Sequence, residues 1–267
     1  MWLHVEHRTS FTYGGPVTEA YTELRLKPLD AGGQRCSSFQ LRTDPVGSPA
    51  RSHLDHYGNE VLRFDVLEAH DALVVTASAD VYTPTSYAEP PRPLTLNEEY
   101  DFLMATGYVP LDGELAALAE SLPEGPTAAR AHALVDVLRA RLVYERGATT
   151  VRTTADEVLR LGRGVCQDFA HVFLGAARHA GIPARYVSGY LYDAELDGGD
   201  AASHAWVDVW TEEQGWISFD PTHGREQTDH YVRVAVGRDY ADVPPTRGVY
   251  RGTATEELAV DVIISAV

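Results

Sequence analysis

The sequence predicts an α+β protein in two parts, and three observations carry that reading. The first 87 residues are short alternating runs separated by turn residues. Pro84, Pro90, Pro91 and Pro93 then crowd one short stretch. Beyond it the apolar period changes to that of helices, and strand patterns return only later.

The alternating runs are LHVEHRTSFTY, TELRLKP, SFQLRTDP, EVLRFDVLE and ALVVTASADVYT, punctuated at Tyr13-Gly14-Gly15-Pro16, Ala31-Gly32-Gly33, Pro45 to Pro49 and Tyr57-Gly58-Asn59. This spacing predicts a β-sandwich over residues 1–87. The proline-rich stretch favours extended, hydrogen-bond-poor backbone and marks a boundary. Residues 94–267 form the expected second domain. Helical patterns occupy ELAALAESL, TAARAHALVDVLRARLVYE, ADEVLRL and VCQDFAHVFLGAARHA. Strand patterns follow in ARYVSGYLYD, SHAWVDVWTEEQGWISFDPT, HYVRVAVG and EELAVDVIISAV. Helices before strands predict a helix cluster packed on an antiparallel sheet.

Composition excludes several classes. A hydrophobic content of 44% with 23% charged residues suits an ordinary globular chain and argues against disorder. The net charge of −17, from 22 basic and 39 acidic residues, repels phosphate backbones and anionic lipid, so neither nucleic acid nor a membrane is an expected partner. MWLHVEHRTS lacks the basic start and apolar run of a signal peptide, which makes a cytoplasmic protein the expectation. Cys36 and Cys166 are then both expected to be reduced.

Cys166 is the first chemically interesting residue. In VCQDFAHVFLGAARHAGIP the apolar stripe Phe169, Val172, Phe173, Ala176, Ala177 defines a helix, and Gly181 with Pro183 ends it. Gly162 and Gly164 turn the chain upstream, so Cys166 falls in the first helical turn. Orphan N–H groups and the partial positive charge at that end stabilise a thiolate, and they can also face a developing oxyanion. A packed core cysteine fits the same pattern. A nucleophile needs a base and the base a partner. His204 opens the strand HAWVDVW, sharing a face with Trp206, Asp208 and Trp210. If the hairpin loop is the three residues Glu212 to Gln214, Asp220 falls opposite Trp206 and one diagonal step from His204. An even-numbered loop would put Asp220 on the other face.

The segments GRGVCQDFAH, GIPARYVSGY, SHAWVDVW and GWISFDPT, in that order, resemble the transglutaminase-like superfamily, whose papain-like core runs Cys, His, Asp. HVEHRTSFTY, LRLKP and DHYGNEV are similar to the β-domain that precedes this core in bacterial members, and VAVGRDYADVPP also matches them. The resemblance implies Cys166 as nucleophile, His204 as general base and then acid, and Asp220 as the group orienting His204. It implies an oxyanion donor beside the Cys166 N–H, for which Tyr144 and Gln167 are the candidates. Trp206, Arg238, Asp239 and Tyr240 are the candidate substrate-groove residues. The implied activity is that of a cysteine peptidase or amidase acting on a peptide or protein amide through a thioester. Transamidation to an amine and a non-catalytic scaffold are the alternatives. No cofactor and no metal are expected: no Cys-x-x-Cys is present, and the acidic runs Asp193 to Asp200 and Glu256-Glu257 lack calcium-loop spacing.

Overall fold

The computed structural model describes residues 1–193 and 203–267 and has the expected α+β architecture. Strands β1 (Trp2–Leu24), β2 (Arg35–Asp44), β3 (Arg51–Leu54), β4 (Glu60–Val66) and β5 (His70–Tyr82) form an antiparallel sheet in the order β2-β5-β1-β4-β3. Alternation along β1 and β5 puts Leu3, Val5, Leu73, Val75, Ala77, Ala79 and Val81 inside. Tyr13-Gly14-Gly15-Pro16 is not the expected turn. It lies within β1, where pairing to β5 slips between Thr12 and Val17. A proline without an N–H is tolerated at such an irregularity, so one long strand serves two sheet segments.

The second part contains α1 (Leu96–Leu103), α2 (Gly113–Glu120), α3 (Thr127–Arg141), β6 (Val143–Tyr144), α4 (Ala155–Leu161), β7 (Arg163–Gly164), α5 (Cys166–His179), β8 (Ala184–Leu191), β9 (Ser203–Thr211), β10 (Gly215–Asp220), β11 (Arg225–Glu226) and β12 (Tyr231–Gly237). Its sheet order is β11-β10-β9-β8-β12. Helix α5 packs against β9 and β8 and is covered by α2, α3 and α4, so it is buried on nearly all sides rather than along one stripe.

The last strands, β13 (Thr246–Arg251) and β14 (Glu256–Ala266), leave this unit and pair with β1. The second expected domain, residues 94–267, therefore gives its final strands to the first sheet. Alternation marks a strand but not the sheet it joins, which is why the sequence assigns this segment by position alone.

The two parts share an apolar cluster. Leu3, Val5, Val81 and Val262 pack with Tyr190, Val232 and Val234. Two buried amides fasten β12 as a neighbouring strand would: Gln34 exchanges hydrogen bonds with the Arg233 backbone (2.9 and 2.8 Å), and Asn59 with that of Val236 (both 2.8 Å). No helix among the described residues is long and apolar enough to cross a membrane.

Candidate active site

Cys166 is the first residue of α5, so its N–H has no partner within the helix. Gly162 ends α4 in the left-handed region, at φ 66°, which makes the sharp approach to α5 possible. Asp168 then fixes the helix start, its carboxylate accepting from the Val165 N–H (2.7 Å) and the Thr149 hydroxyl (2.6 Å). Burial pushes the Asp168 carboxyl up, and those two donors oppose the shift.

The β9–β10 register has the odd loop: Thr211 pairs with Gly215 and Val207 with Phe219. Asp220 consequently reaches His204, whose Nε2 donates to Asp220 Oδ2 at 2.8 Å. The same oxygen accepts from His223 Nδ1 (2.8 Å) and the Tyr231 hydroxyl (2.7 Å), and Oδ1 accepts from the Thr222 and His223 N–H groups (2.9 and 3.1 Å). Burial works against the charge of Asp220, but His204 and His223 more than compensate and hold it well below the usual carboxylate range. Burial likewise disfavours protonated His204. The Asp220 carboxylate, with hydrogen bonding and charge from Cys166, outweighs this and raises the ring to about 10. With Nε2 committed to Asp220, Nδ1 is the nitrogen left to exchange a proton with the sulfur. Trp206 stacks on the ring, the planes 24° apart.

Cys166 and His204 line one cleft of about 310 Å³ between the two parts of the molecule. Gln167 and Tyr240 also line it, whereas Tyr144 does not. Tyr144 is half-exposed and pairs with Gly164 through the parallel β6–β7 bridge, which holds its backbone rather than its ring near the helix start. Trp206 is fully buried behind His204 and donates to Gln227 Oε1 at 3.2 Å, so it supports the ring and lines no groove. Arg238 is bound to Asp242, and Asp239 is buried, accepting from the Ala241 N–H at 2.8 Å. Both shape the turn that presents Tyr240, and neither lines the cleft. Most of the acidic run, residues 194–200, lies outside the described residues.

His223 and Tyr231 were not singled out from sequence. A signal for His223 existed in Asp-Pro-Thr-His, a sequence in which the Asp side chain turns back onto following N–H groups. His204, Asp220 and His223 also place three potential metal-ligand atoms within 4.8 Å. His204 Nε2 and His223 Nδ1 both hydrogen-bond Asp220 Oδ2. Cys36 and Cys166 are free thiols.

A helix-borne thiol, an imidazole on an adjacent strand and a buried carboxylate at the next strand's end, set in an α+β fold, define a papain-like arrangement. The chain belongs to the transglutaminase-like superfamily: residues 116–221 match the model of the transglutaminase-like superfamily core, and residues 3–82 match the bacterial transglutaminase-like N-terminal region. It is 35% identical to the uncharacterized protein ML0607 of Mycobacterium leprae, over 99% of both chains. A protein-glutamine gamma-glutamyltransferase of Pseudomonas aeruginosa is 33% identical over 51% of this chain and 23% of that one. Among solved structures, one described as "a Putative Cysteine Protease from Cytophaga hutchinsonii" superposes with a TM-score of 0.79 at 21% identity, covering 100% of this chain and 91% of that chain, which shows a shared fold.

Proposed function

We propose that the protein is a cysteine acyl-transfer enzyme that hydrolyses a peptide or amide bond. The observation carrying this reading is that His204, hydrogen-bonded to buried Asp220, lines one cleft with Cys166. The raised His204 ring holds the proton shared with Cys166, and the thiolate left on Cys166 attacks the carbonyl carbon. The Cys166 N–H faces the oxyanion, with Gln167 as the cleft-lining candidate for a second donor. Collapse of the tetrahedral intermediate breaks the C–N bond, the amine leaves with the proton from His204, and a thioester remains on Cys166. Water, deprotonated by His204, then releases the carboxylic acid and regenerates the thiol. Asp220 keeps the ring oriented and stabilises its protonated form throughout.

Alkylation by iodoacetamide at mildly acidic pH tests the activated thiol. The expected result is Cys166 labelling at least tenfold faster than a model thiol, with the advantage lost in His204→Ala. A rate equal to the model thiol, the same in both proteins, would overturn the reading. The gamma-glutamyltransferase relative gives the amine-acceptor alternative its support. Incubating a glutamine peptide with a labelled amine separates the outcomes: hydrolysis yields glutamate peptide and ammonia, and transamidation yields labelled peptide.

A further inference from the structure

Where the two sheets meet, the cleft wall carries a polar cluster that the acyl-transfer chemistry does not use. His7 and Thr9 project from β1 and Tyr190 from β8, and all three line the cleft while being 2%, 1% and 3% exposed. His7 Nδ1 is 3.0 Å from the Tyr190 hydroxyl, and Nε2 is 3.0 Å from the Thr9 hydroxyl. Burial lowers His7 to about 4, so the ring is neutral and carries one N–H.

Hydrogen counting then has one outcome. The cluster owns an imidazole hydrogen and two hydroxyl hydrogens, and its two internal bonds consume two of them. If Nε2 carries the proton and donates to Thr9, Tyr190 donates to Nδ1 and the Thr9 hydrogen remains. In the other tautomer the Tyr190 hydrogen remains. Among the described residues neither hydroxyl makes a further hydrogen bond, and a buried donor left unpaired is destabilising. An acceptor arriving through the cleft removes that cost.

The surroundings define what arrives. Val260 sits directly across from Thr9 and Leu258 across from Phe11, half-exposed apolar side chains at the cleft wall. No described cleft-lining residue is Asp or Glu, and the one strong cation, Arg25, is bound to Asp55 through Nε at 3.2 Å while its buried Nη1 has no hydrogen-bond partner among the described residues. We propose that His7, Thr9 and Tyr190 form a substrate subsite. It donates one hydrogen bond to a carbonyl oxygen of an extended acyl chain, whose apolar side lies over Leu258 and Val260. The assignment rests on the acyl-transfer reading and names the substrate class of that site.

The test compares two reagents on the full chain: iodoacetamide, too small to span the cleft, and an N-acetyl-dialanyl chloromethyl ketone, whose amides reach the subsite. Both alkylate Cys166, displacing halide. The measured quantity is the ratio of the extended reagent's rate to the small one's. Thr9→Val/Tyr190→Phe is expected to lower the ratio about tenfold. Leu258→Glu, at an exposed position that tolerates substitution, is expected to lower it several-fold and stands independently if the double variant does not fold. Wild-type ratios in the folded variants overturn the subsite. A wild-type iodoacetamide rate no faster than a model thiol instead overturns the acyl-transfer reading, and the proposal with it.

Discussion

Asp220 Oδ2 accepts three donors at once, and His204, His223 and Tyr231 together make its charge easier to keep than to lose. The buried titrating residues give the protein a signed response to pH. His204 is raised to about 10 in the folded state, so its contribution is fully present below about 6.5, the ordinary histidine value, and is lost as pH rises toward 10. Asp220 is depressed, so its contribution is present above about 4 and is lost as pH falls below that. His7 and His171 are lowered to about 4 and about 3, the first by burial and the second by burial with Arg178 nearby. Their unfolded forms bind protons first, so stability falls as pH drops from about 6.5 toward those values, by up to roughly 1.4 kcal/mol per pH unit for each ring. Urea midpoints measured from pH 4 to 10 are expected to peak near 6.5. His171→Phe is expected to remove about half of the acid-side slope between pH 4 and 6.5. It also removes the acceptor of the Tyr240 N–H, at a cost of about 1–3 kcal/mol at neutral pH.

At the scale of elements, β8 carries His204 by lying beside it: Gly189 pairs with His204. A Cβ built on Gly189 would stand 2.1 Å from the Val232 carbonyl and 2.6 Å from the Trp206 ring. Gly189→Ala therefore has to push β12 or Trp206 aside. A loss of about 1–3 kcal/mol is expected by chemical denaturation, with slower Cys166 alkylation because Trp206 stacks on His204. Much of this level was legible in the sequence. The apolar stripe from Phe169 to Ala177 located α5, and Cys166 stands at its first position. The alternation of HAWVDVW located β9, but the reach from His204 to Asp220 depended on a register that side-chain period leaves open until the loop length is known. The sequence misjudged Gly14-Gly15-Pro16, since the residues that break a strand also bend one, and only the partners β5, β13 and β14 decide between these outcomes. Trp206 and Asp239 carried the composition of groove residues, yet both are buried: Trp206 packs with Val187, Leu191, Tyr231 and Val236, and Asp239 turns inward to accept from the Ala241 N–H.

For the molecule as a whole, the proline-rich segment behaves as a strap. Glu89 binds Arg185 at 2.7 Å, and the Arg233 guanidinium lies 3.7 Å from the centre of the Tyr87 ring. Both arginines converge on buried Asp208, which also accepts from Ser218 at 2.7 Å. The Tyr87 and Glu89 contacts, the Gln34 and Asn59 amides and the shared apolar cluster cross the expected boundary together, so calorimetry is expected to show one unfolding transition, with van't Hoff and calorimetric enthalpies in agreement. Asp208→Asn leaves two buried guanidinium groups short of charge and is expected to cost about 3–5 kcal/mol. Two separate transitions would show that the strap and interior do not couple the halves.

The return of β14 to β1 has a consequence in time. A chain still on the ribosome and made only as far as residue 255 already contains Cys166, His204 and Asp220, but its cleft lacks Leu258 and Val260 and β1 has an open edge. The edge of β1 that β14 covers thus stays bare for part of synthesis, and a strand edge of that kind is a template for pairing with another chain until β14 closes it.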